Sequence, residues 1–368
     1  MSDDLIDSAA LREGIRSVLE SESSAEMLHR FVDGNTPLDA DLWNKAAELG
    51  WCALAVSDEH GGLGLGLAEL AIVHEEIGRV TAPLPFLTTT LVTEAIAYTG
   101  SSAQKEAWLP RIAAGELPAS LRIPEPNRRI SLPQLSRNPD KSLVLTGDAL
   151  ELLDGAAARL LLVEAIAEDG ASAFVLIEPE RDGITIRRDA LVDRTRHLAS
   201  AHFEALVLSE DRLLSADTAT LSASLLDHAA LALACDAIGG ADAIFELTLA
   251  YLKTREQFGR PIGSFQALKH RCSNMKVALE ASRAVVADAV RKSTEKAPDA
   301  SLQASLAKLY ACDVAAIIAE DALQLHGGIG FAWEHSCHLY LKRAKLNQAL
   351  GGNSAAHADR AAELLIAA

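Results

Sequence analysis

The 368-residue sequence lacks the features of a nucleic-acid-binding or secreted protein. Its 34 Lys and Arg residues are outnumbered by 51 Asp and Glu residues, which gives a net charge of -17. Because binding to a phosphate backbone requires clustered basic residues, we expect no nucleic-acid partner. The acidic N-terminus also lacks the basic start and apolar core of a secretion signal.

Cysteine is scarce and irregularly spaced. The chain has five cysteines, an odd number with no C-x-x-C pair, and most lie among apolar residues. Buried free thiols occur in such surroundings, so we expect reduced cysteines and a cytoplasmic location. The five are Cys52, Cys235, Cys272, Cys312 and Cys337.

No long uncharged hydrophobic run is visible. The most membrane-like stretch, residues 221–252, is interrupted by four acidic side chains. A spanning helix needs roughly 20 predominantly apolar residues, so we expect no membrane span. The 49% of hydrophobic residues is nevertheless ample for buried cores. A chain of this length is expected to form two or three domains.

Three regions differ in their sequence pattern. Residues 1–117 repeat apolar residues at intervals of three and four, which predicts a helical domain. Residues 118–214 contain short β-type runs separated by Gly, Pro, Asp and Asn, which predicts an antiparallel sheet or small barrel. Residues 215–368 return to helical spacing and predict a helical bundle. The expected fold class is therefore α+β with three domains.

The last region is divided by Gly and Pro turns into five predicted helices. They cover about residues 216–254, 263–292, 298–326, a shorter segment from about 333, and 354–366.

Two short motifs have the spacing of ligand sites. The run GGLGLG at residues 61–66 has the glycines of a nucleotide loop, but no predicted strand precedes it and no acidic residue follows at the required distance. A turn is the simpler interpretation. His335, Cys337 and His338 have a possible metal-ligand spacing on a helix. Because no second ligand pair of matching spacing is present, we expect no metal.

Two glycine-rich turns contain the groups best suited to bind a ligand. Residues 255–266, REQFGRPIGSFQ, join two predicted helices and offer a guanidinium, amides and an aromatic ring. Such a turn can bind a pyrophosphate, although a plain helical hairpin has the same pattern. Residues 324–334, QLHGGIGFAWE, allow a ligand to approach the backbone, but are equally typical of a helix end. His326 by itself would be more typical of a packed or capping histidine.

Taken together, these runs resemble the flavin-dependent acyl-CoA dehydrogenase family. The resemblance extends over nearly the whole chain, from LGWCALAVSDEHGGLGLGLAEL and EEIGR to QLHGGIGFAWEH and LYLKRAK. It implies a helical domain, a β domain and a C-terminal four-helix bundle, usually assembled as a tetramer. It also implies FAD shared across a subunit interface, an acyl-CoA substrate and an electron-transfer flavoprotein as acceptor.

The resemblance assigns one half of an FAD site to the bundle. In the family, the bundle of one chain holds the pyrophosphate and adenosine of an FAD whose flavin ring lies in a neighbouring chain's β domain. The positions that match this half are all present. They are Arg255, Gln257, Phe258, Gln266, Gln324, Leu325, His326, Gly327 and Gly328.

The β-domain half departs from the family pattern. The family has T-E-P-x-A-G-S-D where residues 124–131 are PEPNRRIS, and G-x-K-x-W-I-T-N-G where residues 147–155 are GDALELLDG. Pro124, Glu151 and Leu153 thereby replace the Thr, Trp and Thr of those motifs. Two arginines and an acid are poor neighbours for an electron-rich ring, so we expect this chain's own β domain not to hold a flavin.

The catalytic base of the family is missing from both of its usual positions. Dehydrogenation of an acyl thioester needs a desolvated carboxylate to remove the α proton while the β hydride passes to flavin. Alignment on the family's Y-E-G-T places Gly351 where that Glu would stand. The second usual position, counted back from Arg255, falls near Ala229, and the nearest acid, Asp227, points to another helix face.

The chain thus keeps the bundle half of the FAD site but lacks the flavin-side motifs and the catalytic base. In this combination it resembles the non-catalytic chain of heterotetrameric acyl-CoA dehydrogenases of bacterial sterol-type degradation. A base-bearing partner chain would perform the chemistry, and Arg255, Gln266 and Gln324 would complete the FAD site of that partner.

Two alternatives remain open. The chain could be a self-sufficient homotetrameric dehydrogenase with an unusual base such as Asp227, Glu334 or Asp359. It could instead be a non-enzymatic acyl-CoA-binding or scaffold protein on the same fold. A yellow protein that bleaches on adding acyl-CoA would identify the first, and a colourless homomer that binds acyl-CoA would identify the second.

Overall fold

The structure is a computed structural model that describes residues 7–34, 36–128, 130–214 and 217–367. Its N-terminal region is helical, as the sequence predicts. The helices are α1 (Ser8–Glu22), α2 (Ala25–Gly34), α3 (Ala40–Glu48), α4 (Leu67–Arg79), α5 (Phe86–Thr99) and α6 (Ser102–Ala113). The glycine run at residues 61–66 is a turn that leads from a 3-10 helix into α4, as expected.

A reciprocal capping box fixes the start of α6. The Ser101 hydroxyl accepts the Gln104 N–H at 3.2 Å, and the Gln104 side chain accepts the Ser101 N–H at 2.8 Å. Gln104 also donates through Nε2 to the carbonyl oxygens of Asp211 and Leu213. One side chain therefore caps the helix and ties it to the end of the β region.

The middle region forms an eight-stranded sheet, mostly antiparallel, in the order β6-β7-β3-β1-β4-β5-β8, with β2 pairing with β3 and β4. Its edges at β6 and β8 are open, so the sheet rather than the barrel is observed. The strands are β1 (Ala119–Leu121), β2 (Gln134–Arg137), β3 (Leu143–Leu153), β4 (Leu160–Ala167), β5 (Ser172–Ile177), β6 (Ile184–Arg188), β7 (Leu198–Leu208) and β8 (Leu213–Leu214).

Two short strands share the space between β3 and β4. β1 pairs with Leu153 at the end of β3 and with the start of β4. β2 pairs with the start of β3 and with Ile166 and Ala167 at the end of β4. Residues 124–131, which depart from the family motif, therefore connect two strands that occupy the same position in the sheet.

All five predicted C-terminal helices are present. α8 begins three residues later than predicted because a two-stranded hairpin, β9 (Glu256–Gln257) and β10 (Arg260–Pro261), and a 3-10 turn precede it. The fourth helix begins at Cys337 rather than 333 because residues 327–331 form a 3-10 helix that a turn follows. The helices are α7 (Thr218–Thr254), α8 (Gln266–Thr294), α9 (Ala300–His326), α10 (Cys337–Ala349) and α11 (Ser354–Ala367).

The chain divides into two compact units. The first comprises the residues up to 34, residues 67–82 and the residues from 230 onward, and the second comprises residues 36–66 and 83–229. The division falls within α7, which contributes to both. The units are not the three regions predicted from the sequence, and that division into three domains stays a prediction.

α4 and α7 cross at glycines in the first unit. A Cβ atom on Gly239 would lie 1.8 Å from the carbonyl oxygen of Glu75, and one on Gly78 would lie 2.1 Å from the carbonyl oxygen of Asp236. Real Cβ atoms do not approach backbone atoms so closely. Glycine at both positions is therefore what allows the two helix backbones to touch.

Charged side chains surround this crossing. Glu76, 1% exposed, accepts hydrogen bonds from Arg12 at 2.7 Å and from Arg16 at 2.8 Å. Burial alone would raise the pKa of Glu76, but the two guanidinium groups lower it below its ordinary value. Arg283 of α8 binds Glu75 at 2.6 Å. Because an unpaired buried carboxylate would be strongly destabilising, these pairs hold α1 and α8 against α4.

One stretch, Ala300–Phe331, is long and apolar enough to cross a membrane by length and composition. It differs from residues 221–252, which are the most membrane-like stretch by sequence pattern. Of its most apolar window, 61% is buried inside the protein, as in the core helix of a bundle.

We predict that Gly239→Ala lowers the free energy of unfolding by about 3 kcal/mol, because the added methyl group overlaps the α4 backbone. Gly14→Ala is the matched control, since Gly14 is exposed in α1 and a Cβ there meets no atom within 4 Å. We expect that change to stabilise the protein by about 0.5–1 kcal/mol. Urea unfolding measures both, and equal effects would contradict the proposed crossing.

Candidate functional site

The hairpin after α7 exposes groups that can bind an anion. The Arg255 N–H continues the helix by donating to the Tyr251 carbonyl oxygen at 2.8 Å. Within the described part of the chain, no acceptor binds its exposed guanidinium. Phe258 is 93% exposed and has a φ of 55°, which is uncommon for a residue other than glycine. Its exposed ring is therefore available to contact a ligand or another chain.

The start of α8 lies immediately beyond this hairpin. No side chain among the described residues caps the helix, and Phe265 at the N-cap position carries Arg260 stacked over its ring at 4.2 Å. Gln266, the first helical residue, is exposed. The N–H groups of its first two residues and the positive end of this 29-residue helix favour an anion.

The predicted residues 324–328, at the end of α9, differ in their exposure to solvent. Gln324 and Gly328 are exposed, and a Cβ on Gly327 or Gly328 would meet no atom within 4 Å. The side chains of Leu325 and His326 are buried. These two residues can therefore contact a dinucleotide at this surface only through their backbone, a distinction that the sequence motif does not reveal.

The structure brings the two predicted segments together at one end of the bundle. The Tyr251 ring, one turn before the hairpin, stacks on the His326 ring at 4.6 Å with an interplanar angle of 23°. Arg271 near the start of α8 also forms an ion pair with Asp321 near the end of α9. An unpaired guanidinium, an uncapped helix start and an open glycine segment fit the phosphate-bearing half of a dinucleotide such as FAD.

The substituted residues of the β region form an ion-pair cluster. Arg128 donates to Glu125 at 2.5 Å and to Glu151 at 2.7 Å. Its pKa is raised, chiefly by the hydrogen bond to Glu151. Arg129 lies outside the described residues. The two departures from the family motifs are therefore coupled, since Arg128 of the first binds Glu151 of the second.

The turn that holds Gly351 is buried and tightly bonded. Gly351 and Gly352 have φ values of 67° and 100°, the left-handed region that favours glycine. The His357 ring donates from Nε2 to the Gly351 carbonyl oxygen at 2.9 Å. Burial, with a smaller effect of Lys308, lowers the pKa of His357 to about 4. His357 is therefore neutral near pH 7.

A buried lysine closes the same turn from the other side. Lys308 of α9, 1% exposed, donates to the carbonyl oxygens of Asn347 at 2.7 Å, Gly352 at 3.3 Å and Gln348 at 3.4 Å. These carbonyl groups lie at or just beyond the end of α10, where the helix dipole favours a cation. The ammonium group thus has carbonyl oxygens as its hydrogen-bond acceptors.

Ala229, which aligns near the second usual base position of the family, carries only a methyl group. Ala229 is fully buried in α7, while its neighbour His228 forms an ion pair with Glu94 of α5. Burial alone would lower the pKa of His228, but the Glu94 carboxylate raises it. Glu94 also accepts the Ser224 hydroxyl at 2.7 Å. This cluster could not be recognised from the sequence, in which its one indication is the four-residue spacing of Ser224 and His228.

The alternative bases differ in burial. Asp227 is half-buried, whereas Glu334 and Asp359 are exposed to solvent. A carboxylate that removes an α proton works best when desolvated. Asp227 is therefore the better placed of the three.

Comparison with known protein families identifies the family of this chain. Residues 7–116 match the family described as acyl-CoA dehydrogenase, N-terminal domain, and residues 219–366 match acyl-CoA dehydrogenase, C-terminal domain. The chain belongs to the acyl-CoA dehydrogenase family, whose members are flavoprotein oxidoreductases acting on CH–CH bonds. The resemblance drawn from the sequence motifs is confirmed.

Within this family, the chain is similar to acyl-CoA dehydrogenase IpdE2 of Mycolicibacterium smegmatis, with 33% identity over 337 residues and 91% of each chain covered. Among solved structures it is similar to a variant of the Tcur3481-Tcur3483 steroid ACAD, with 27% identity, a TM-score of 0.87 and 98% of each chain covered. The ChsE4-ChsE5 complex from Mycobacterium tuberculosis has a TM-score of 0.90 at 22% identity, with both chains fully covered, which shows the fold.

We predict that His357 makes stability depend on pH. Its pKa is about 4 in the folded chain and 6.5 for an ordinary histidine, so its contribution is complete above pH 6.5 and is lost as the pH falls towards 4. Between pH 7 and 5 this loss is about 2 kcal/mol. His357→Gln keeps a donor for Gly351 but does not titrate. Urea unfolding at both pH values should therefore show a smaller decrease for the variant than for the wild type, and equal decreases would contradict this assignment.

Proposed function

We propose that this chain is the supporting subunit of a heterotetrameric acyl-CoA dehydrogenase. A partner chain supplies the catalytic Glu and the β domain that holds the flavin ring, and this chain completes the FAD site of that partner. The observation that carries the proposal is Gly351, which aligns with the usual base position of the family and has no side chain to accept a proton.

The surroundings of Gly351 support packing rather than proton transfer. Its carbonyl oxygen accepts from His357, and the next carbonyl oxygen accepts from Lys308. A non-glycine residue in its left-handed conformation would cost about 1–2 kcal/mol. The turn is thus stabilised by backbone acceptors that need no carboxylate at this position.

The exposed end of the bundle supports a role in binding FAD. When bound, FAD accepts the hydride released from the β carbon of the acyl group. We assign the Arg255 guanidinium to its pyrophosphate, because Arg forms forked hydrogen bonds to phosphate oxygens. Gln257 and Phe258 flank this group in the hairpin, and Gln266 and Gln324 supply amides. Gly327 and Gly328 allow the backbone of the α9 end to approach the ligand.

The ion-pair cluster of the β region supports the absence of a flavin ring from this chain's own β domain. Arg128 binds both Glu125 and Glu151 at the positions where the family's flavin-side motifs lie. Charged side chains satisfied in this way are poor packing partners for an isoalloxazine ring.

The relatives support a heteromer acting on a sterol-derived acyl-CoA. The similar steroid ACAD is named for two components, and ChsE4-ChsE5 is described as a complex. We extend this pairing to the present chain as an α2β2 assembly. An electron-transfer flavoprotein as electron acceptor and a cytoplasmic location complete the proposal.

We predict two FAD molecules per tetramer when the chain is coexpressed with a base-bearing acyl-CoA dehydrogenase chain encoded beside it. This chain expressed alone should be colourless, because its β domain does not hold a flavin. Native mass spectrometry and the flavin absorbance of the complex provide the count. Four FAD molecules per tetramer, or no complex, would rule out the supporting role.

We predict that Arg255→Ala in this chain weakens binding of FAD to the complex by about 10-fold or more, as expected for a lost hydrogen bond to a charged group. Arg291→Ala is the matched control, because Arg291 lies near the other end of α8 and binds Asp288 and Glu295. Flavin retention on dilution measures both, with tetramer mass as the check on assembly. An unchanged FAD affinity in the first variant would contradict the assignment of Arg255.

A second candidate is a self-sufficient homomeric dehydrogenase. The half-buried Asp227 favours it, because this acid lies two residues from the second usual base position. In this case the chain alone would be yellow and would bleach with an acyl-CoA, and Asp227→Asn would abolish the bleaching.

A further inference from the structure

Three metal-ligating side chains meet where α9 ends and α10 begins. They are His326, His335 and Cys337, and one potential ligand atom of each lies within 4.8 Å of the other two. His326 is the last residue of α9, and Cys337 is the first of α10. The cluster therefore spans the ten-residue connection between two helices.

His326 is held in the form that binds metals. Its Nδ1 donates to the Ala322 carbonyl oxygen at 2.8 Å, and its ring lies between the rings of Tyr251 and His335. In this tautomer, Nε2 carries a free lone pair. The side chain is 3% exposed, and Nε2 has no hydrogen-bond partner among the described residues. A carbonyl acceptor on the far ring nitrogen is the usual support of a metal-bound histidine.

The other two groups complete a compact donor set. Cys337 is fully buried, and His335 is half-buried. The ligand atoms of a tetrahedral zinc site are roughly 3.3–3.6 Å apart, so the cluster has to contract by about 1 Å. His335 can supply this movement, because its present bond, from the Cys337 N–H to Nδ1, is long at 3.2 Å.

His338 does not belong to this set, although its spacing from His335 on the sequence favours it. Its Nε2 donates to the Trp333 carbonyl oxygen at 2.8 Å, and its Nδ1 accepts from Lys342 at 3.2 Å. Both ring nitrogens are therefore in use. His326 lies nine residues from His335 in the sequence, so the spacing of residues 335–338 gives no sign of it, and it reaches the cluster only because residues 327–336 fold back.

We propose that His326, His335 and Cys337 bind one zinc ion, with solvent in the fourth position. Histidine nitrogen and cysteine sulfur are the donors that zinc prefers. The ion would cross-link α9 to α10 and hold the connection that exposes Ile329, Phe331 and Trp333. This proposal does not depend on the proposed function.

Zinc binding to the full-length, chelator-stripped chain tests the proposal, with a chromophoric chelator as competitor. We expect one zinc ion per chain and a cobalt derivative with the intense visible bands of a tetrahedral site and a thiolate charge-transfer band. His326→Gln and Cys337→Ser should each weaken zinc binding by at least about 100-fold, more than the loss of an outer-shell partner does.

The controls use side chains of the same types that lie outside the cluster. His338→Gln and Cys272→Ser should leave zinc affinity within about threefold of the wild type. Zinc should also raise the Tm of the wild type but not of the ligand variants. If Cys337→Ser does not fold, His335→Gln replaces it, since that side chain is only half-buried. Failure to bind zinc, or a loss of binding caused by His338→Gln but not by His326→Gln, would overturn the proposal.

Discussion

The contact on which the first unit depends is the glycine crossing of α4 and α7. Gly78 and Gly239 let two backbones touch, and Asp236, whose carbonyl oxygen faces Gly78, also accepts the Asn347 amide of α10 at 2.6 Å. Arg343 of α10 donates to the Ala82 carbonyl oxygen at 2.7 Å, just beyond α4. The position of α10, and hence of the Gly351 turn that follows it, is set by this crossing.

The electrostatics of the first unit follow from the same arrangement. Helices that pack this closely bury Glu76, which requires the arginines of α1, and bury Lys308, which requires carbonyl groups at the end of α10. The two buried charges are satisfied differently: Glu76 has ionic partners, whereas Lys308 has carbonyl dipoles. A buried charge of either sign is tolerated when each of its hydrogen-bonding positions has a partner.

Long elements could be predicted from the sequence because each carries its own periodic pattern. α7, α8 and α9 have enough turns for their apolar spacing to be unmistakable, and the motifs at their ends located the bundle half of the candidate site. β1 and β2 have no clear sequence signal of their own, because three or four residues hold too little alternation, and their pairing is set by β3 and β4. The contacts of Glu94 with His228, and of His326 with His335, depend on folding that brings separate segments together. No local pattern encodes such contacts.

The cluster of Arg128, Glu125 and Glu151 also constrains how this sequence can change. Replacing Glu151 by an aromatic residue would leave Arg128 with one acidic partner, and replacing Arg128 by a small residue would leave two carboxylates facing the space that it filled. Neither single replacement gives the remaining charged side chains more ion-pair partners than they have in the present cluster. Restoring the family motif at these two positions would therefore require both replacements, because each one changes the ion pairs of the other.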